Sequence, residues 1–189
     1  KVYPFDIYDG RGKTMVYSLI TNPNKWLGAY SFNPEGFSTL DNELYSYKTG
    51  YLYLHNLTTS YNNFYGVQYN SKIMCVSNQV PQRPKVYNNI SVESNLVPLF
   101  VYMYNSYPTQ QSSDLVDEDF RDLEGVFYAT VKRNKLIPTA TGYTTDGLLT
   151  GEKMRNVAMF IMVEFNPTTI PIEVKFLEIG YQISQGHTT

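Results

Sequence analysis

Two histidines, one cysteine and seventeen carboxylates are the residues of this 189-residue chain with the chemistry for catalysis or metal binding. A serine or cysteine hydrolase needs a nucleophile, a histidine base and an orienting acid. His55 closes a strand-like run and His187 stands in a polar tail after Gly186. No Gly-x-Ser-x-Gly elbow is present, and Cys75 lies inside the apolar run Ile73-Met74-Cys75-Val76. With one cysteine, neither an intrachain disulfide nor a cysteine-based zinc site can form. Cys75 reads as a small buried hydrophobe.

Carboxylates gather at Asp114, Asp117, Glu118, Asp119, Asp122 and Glu124, a composition that suits calcium. An EF-hand loop needs Gly at its sixth position and Glu at its twelfth. Counted from Asp114 these positions hold Asp119 and Gly125, and from Asp117 they hold Asp122 and Tyr128, so the pattern fails. A solvated helix face is the plain reading, and a calcium or assembly contact is the alternative. The run Gly142-Tyr143-Thr144-Thr145-Asp146-Gly147 is followed by Leu148-Leu149 where a P-loop has Lys and a hydroxyl. A glycosidase needs only two carboxylates at the right separation in space, which spacing in sequence does not reveal. No catalytic residue, metal ligand or cofactor site is assigned.

Tyrosine is the unusual component, with 18 residues alongside ten Phe. Tyr51, Tyr53, Tyr61, Tyr65 and Tyr69 lie close together among Asn and Gln. A flat apolar ring with a polar tip suits protein interfaces and sugar stacking, so these five form the candidate interaction surface. The plainer alternative is that they cover a sheet.

The elements that must position these rings are strands. Aromatics make up 15% of the chain, which favours pleated sheet over helix. Charged residues are 17% and the net charge is -2, which is not the basic stripe of a nucleic-acid binder. No apolar run approaches the length of a membrane-spanning helix. The opening at Lys1 reads as that of a processed chain or of a segment of a longer one. Residues 1–12 read as a connecting arm, 13–183 as a single β-rich domain and 184–189 as a tail. Thr49-Gly50 predicts a two-residue hairpin loop with Lys48 opposite Tyr51, Tyr47 opposite Leu52 and Tyr45 opposite Leu54. In that register Tyr45, Tyr47, Leu52 and Leu54 share one face, expected to point to the core, while Ser46, Lys48, Tyr51, Tyr53 and His55 share the other.

Further strands are expected at 13–20, 63–69, 71–77, 85–92, 96–105, 126–133, 157–165 and 170–183. Between Phe176 and Leu177 the apolar parity slips by one, as a β-bulge produces. Val116, Phe120 and Leu123 predict a short helix over 114–124, ended by Gly125. Residues 138–151, rich in Thr and Gly, read as a long loop. This loop and the strand 96–105, apolar on both faces, are the expected inter-subunit contacts. The fold class expected is all-β: an antiparallel β-sandwich-like module with long loops and at most one short helix.

Residues 26–133 resemble a known family. Trp26-Leu27-Gly28-Ala29-Tyr30-Ser31-Phe32-Asn33-Pro34-Glu35 is similar to the opening of a module in tail structural proteins of crAss-like and related short-tailed phages. Leu40 to His55 resembles its continuation, and Asn63-Phe64-Tyr65-Gly66 with Tyr69-Asn70-Ser71 its next motif. Echoes follow at Pro84-Lys85, at Ile90 to Glu93 and at Asp122 to Tyr128. The resemblance implies the muzzle or nozzle, a distal tail component made in the host cytoplasm and carried in the virion. It implies other tail proteins as partners, a homo-oligomeric ring, with a hexamer favoured, and a part in closing the DNA ejection channel. It implies no catalytic residues; no cofactor is expected, and the charge and the apolar run lengths argue against sequence-specific nucleic-acid binding and a membrane span. The rival reading is a carbohydrate- or receptor-binding β-domain, an adhesin of a tail or head fibre.

Overall fold

A computed structural model describes residues 14–18, 25–56, 60–105, 110–139, 142–144, 151–166 and 169–184. The expected arm 1–12, and the expected tail beyond residue 184 with His187, lie outside the described residues. Among the described residues every regular element is a β-strand except one 3-10 turn, and all strand pairs are antiparallel, as expected from composition. Contacts divide the chain into two compact units, Lys1–Tyr69 with Pro167–Ile170, and Asn70–Asn166 with Pro171–Thr189.

The first unit holds β1 (Thr14–Ser18), β2 (Lys25–Tyr30), β3 (Gly36–Leu40), β4 (Glu43–Lys48), β5 (Tyr51–Leu54), β6 (Asn63–Phe64) and β7 (Val67–Gln68). They pair as β1–β2, β3–β4–β5 and β6–β7. Two-residue loops join β3 to β4, β4 to β5 and β6 to β7 where the chain can reach positive φ. Asp41 and Asn42 stand at 51° and 65°, Thr49 and Gly50 at 49° and 80°, and Tyr65 and Gly66 at 55° and 78°. Two successive positive φ values give the loop a twist that matches the strands it joins. The β4–β5 register is the one expected, with Lys48 opposite Tyr51 and Tyr45 opposite Leu54. The expected single strand 63–69 is instead the β6–β7 hairpin, because Tyr65-Gly66 turns the chain.

The second unit holds β8 (Ser71–Ser77), β9 (Lys85–Ser94), β10 (Phe100–Asn105), β11 (Gln111–Val116), β12 (Arg121–Leu123), β13 (Val126–Thr130), β14 (Ile137–Thr139), β15 (Gly142–Thr144), β16 (Arg155–Asn156), β17 (Met159–Phe165) and β18 (Val174–Ile183). One sheet has the order β11–β10–β17–β8. In the other, β9 is the hub, pairing with β13, β16 and β18, while β12 pairs with β13. Val101, Met103, Ile161, Val163 and Phe165 of the first sheet pack with Ile90, Val92, Ala129 and Ile179 of the second in one apolar core. Burying each large side chain contributes roughly 1.5–3 kcal/mol, and strict alternation along β17 makes its inner row continuous. Tyr87 is buried in the same core, and its hydroxyl is pushed up to about 12 by desolvation.

The sandwich corrects three expectations. Residues 114–124 are not a helix: Asp114 lies in β11, Asp117–Asp119 form the 3-10 turn, and Arg121–Leu123 are β12. Glu124 and Gly125, at φ of 58° and 85°, close a tight hairpin between β12 and β13, so Gly125 ends no helix. The stretch 138–151 is not a bare loop, because β14 and β15 pair from Ile137 to Thr144. The strand 96–105 is no open edge, since β10 is bonded to β11 on one side and β17 on the other. The expected bulge is present where β18 steps from Val174 to Phe176 against Ser94 and Glu93, leaving Lys175 as the extra residue.

Candidate interaction surfaces

The first unit is organised by aromatic rings. Phe32 is buried, with its ring centroid 4.5 Å from Phe64, 5.0 Å from His55 and 5.8 Å from Tyr65. Of the five candidate tyrosines, Tyr53 and Tyr65 meet edge-on at 4.6 Å and Tyr51 lies 6.4 Å from Tyr53. Tyr69 joins through Phe64 at 6.3 Å. Tyr53, Tyr65 and Tyr69 are half-buried and belong to this small core, whereas Tyr51 and Tyr61 are exposed. Tyr51, at 68%, presents the most ring to solvent. Tyr61 has no ring neighbour among the described residues; its carbonyl accepts from the Gln68 amide at 2.7 Å.

The hairpin faces opposite to expectation. Ser46 is fully buried, while Tyr47 and Leu52 are 43% and 57% exposed. The expected core face of Tyr45, Tyr47, Leu52 and Leu54 therefore looks outward, with Leu40 beside it. The inward face succeeds because its polar groups satisfy one another. The Ser46 hydroxyl lies 2.7 Å from His55 Nε2 and 2.8 Å from the Tyr65 hydroxyl, so it donates to one and accepts from the other. Rings cover the rest, and burial pulls the His55 imidazole below its usual range. Lys48, on the same face, donates to the Asn33 carbonyl at 2.6 Å and stands 6.0 Å from the Tyr65 ring. Ser46 and His55 have the separation of a nucleophile and its base, but a serine with no exposure reaches no substrate. Sequence reasoning missed the pair, although the hairpin register had put both residues on one face.

Asp114, Asp119 and Asp122 are held by protein partners. Asp114 pairs with Lys135 and Asp119 with Lys132. Asp119 also accepts the Val116 N–H at 2.9 Å, and Asp122 the Gly125 N–H at 2.9 Å. Among the described residues, no three His, Cys, Asp or Glu side chains come together as a metal-binding group. No helix among them is long and apolar enough to cross a membrane.

A surface that sequence reasoning passed over lies on β8. Among the described residues this strand forms an edge of its sheet, and the backbone of Lys72–Val76 is bonded there only across to β17. Met74 and Val76 on its outer side are 50% and 52% exposed, beside the exposed Phe160 of β17. The run is regular, without proline or bulge, and carries one cation, Lys72, which is 3.2 Å from Glu164. Soluble proteins usually blunt such edges with charge, proline or a bulge. The β18 edge is blunted in this way, by the Lys175 bulge, the Lys175–Glu93 pair and Glu178.

Residues 59–134 match the family described as the Crassvirus muzzle protein C-terminal domain. No curated protein matches the chain. The match bears out the resemblance to muzzle proteins of crAss-like phages and makes the chain similar to a structural tail component of the virion. It takes in Tyr61, Tyr65 and Tyr69, the β8 edge and the acidic stretch, and stops short of Tyr51 and Tyr53.

Proposed function

We propose, from the muzzle-domain match over residues 59–134, that this chain is a non-catalytic building block of a phage tail muzzle. Its copies join one another and other tail proteins in a ring, six being the number the resemblance favours, and the ring closes the channel through which DNA leaves. The work is mechanical: stiff sheets hold edges and loops against neighbouring subunits, and those contacts rearrange at ejection. The observation that carries this reading is the β8 edge. Its free backbone groups call for another strand, and its occupant is a neighbouring copy, because the adjoining outer face offers apolar area beyond the edge itself. Met74, Val76 and Phe160 form that continuous surface. Five backbone residues alone bury far less than the ~800 Å² per partner of a stable interface, so edge and face must be used together.

The test is sedimentation of the purified chain together with the variant Met74→Lys/Val76→Lys. Both side chains already face solvent, so the variant keeps its melting temperature. Self-association of the parent chain that the variant loses is the expected result. A parent chain that stays monomeric, with the variant entering phage tails as efficiently as the parent, would overturn the reading.

A further inference from the structure

We infer that the groove on the outer face of β9, β12 and β13 is a binding site for an acidic saccharide. The groove has a volume of about 470 Å³, within the ~300–1,000 Å³ of small-molecule sites. Its walls follow from register. Arg121 stands opposite Tyr128 across β12 and β13, and Thr130 stands opposite Asn89 across β13 and β9, so these four share one face. Asp119 and Lys132 close one end as an ion pair.

Three polar groups line the groove without a partner among the described residues. The Arg121 guanidinium has no carboxylate within ion-pair distance, and neither the Tyr128 hydroxyl nor the Asn89 carboxamide has a hydrogen-bond partner among the described residues. With the Asp119–Lys132 pair neutral overall, the groove carries one positive charge, held on the planar fork that grips carboxylates with two parallel hydrogen bonds. Tyr128 is exposed and offers an apolar ring face of the kind on which the C–H side of a pyranose rests. Asn89 supplies both a donor and an acceptor, and Thr130 a hydroxyl, which suits the mixed hydroxyls of a sugar ring. The carboxamide has room because Gly180 lies beside it in β18: a Cβ there would stand 1.8 Å from Asn89 Oδ1. Guanidinium, ring and amide in one shallow groove together describe a uronic-acid unit better than an acidic peptide, which has no need of the ring. The site goes beyond the proposed muzzle role, for it binds a glycan whether or not the chain assembles.

The experiment is calorimetric titration of the full chain with tetragalacturonic acid, with cellotetraose and hexaglutamate as the neutral and peptidic comparisons. Tetragalacturonic acid is expected to bind and cellotetraose to bind at least tenfold more weakly. Arg121→Gln should weaken the acidic sugar roughly tenfold and leave the weak neutral affinity unchanged. Tyr128→Ala should weaken both sugars, and thermal melts of each variant must match the parent. No heat from tetragalacturonic acid, equal binding by hexaglutamate, or an Arg121→Gln chain that binds like the parent would each overturn the proposal. None of these results bears on self-association through β8, so the two readings fail separately.

Discussion

Along β17 of the second unit, Ile161, Val163 and Phe165 turn inward and are buried, and the residues between them face out. Along β4 of the first unit, Ser46 has no exposure at all while its neighbour Tyr47 stands open to solvent. Both strands alternate faithfully; they differ in what arrives to cover them. A second sheet covers β17 with aliphatic side chains, and only apolar groups fit against it. The covering of β4 is a set of rings, from Phe32, Phe64 and Tyr65, and Ser46 fits beneath them because its hydroxyl bonds to both His55 and the Tyr65 hydroxyl. Which face of a strand is buried is decided by its partners, and a polar face qualifies once its hydrogen bonds close.

The largest effect should come from the aliphatic side of that contrast. Phe165→Ala removes a fully buried ring from the end of β17, and the expected loss is about 3–5 kcal/mol. Urea denaturation followed by proteolysis of the second unit would measure it. A loss under about 1 kcal/mol would mean that the sandwich core is far looser than its packing.

Next comes the pair that separates the two faces of β4. Ser46→Asp buries a carboxylate among rings and is expected to destabilise the first unit by about 2–4 kcal/mol. Tyr47→Asp, on the open face, should stay within about 0.5 kcal/mol. Amphipathic patterning alone predicts the reverse order. If Tyr47→Asp is the damaging change, the hairpin faces the other way.

Much of the sandwich was legible because β-branched and aromatic residues alternate along β9, β10, β17 and β18, and a parity slip exposed the β18 bulge to within two residues. Strand β11 was not legible. Its sequence, Gln111-Ser112-Ser113-Asp114-Leu115-Val116, is polar where it is buried. Those polar groups are held by partners remote in sequence: Gln111 Oε1 by the Arg155 N–H at 2.7 Å, Ser112 N–H by Asn134 Oδ1 at 2.9 Å, and Ser113 Oγ by the Lys132 carbonyl at 2.9 Å. Helical spacing of Val116, Phe120 and Leu123 was therefore the stronger local signal, and tertiary hydrogen bonds overrode it. The hairpins at Tyr65-Gly66 and Glu124-Gly125 carry the same residue-plus-glycine signature as Thr49-Gly50. Yet the apolar pattern around each outweighs the turn signal, favouring one strand over 63–69 and a helix ended by Gly125. The groove was not legible either, because it joins residues 89, 121 and 128 through strand pairing alone.

A smaller effect should follow pH, and in the first unit only. Burial holds the folded His55 below its usual pKa, so the unfolded chain takes up the proton first. The sign follows: no penalty exists while both forms are neutral. Stability then falls as pH drops through the unfolded value near 6.5 and levels off below the folded pKa. Melting of the first unit between pH 8 and pH 5 should show this decline, and His55→Phe should flatten it. An unchanged slope in His55→Phe would assign the decline to other groups.

The smallest effect tests how closely β9 and β18 approach. Gly180 has an ordinary strand φ, so alanine is acceptable to its backbone, and the obstacle is the Asn89 carboxamide alone. A Cβ at 1.8 Å from Oδ1 cannot coexist with that rotamer, yet the amide is the free end of a side chain and can swing away. Gly180→Ala should therefore cost no more than about 1 kcal/mol, because rotation relieves the clash and alanine restricts the unfolded chain. In the double variant Asn89→Ala/Gly180→Ala the clash is gone, and the cost should vanish or change sign. The two substitutions are in contact, so a coupling of about 0.5 kcal/mol or more is expected from the cycle, measured by urea denaturation of all four chains. Strict additivity would mean that the carboxamide does not lie over Gly180.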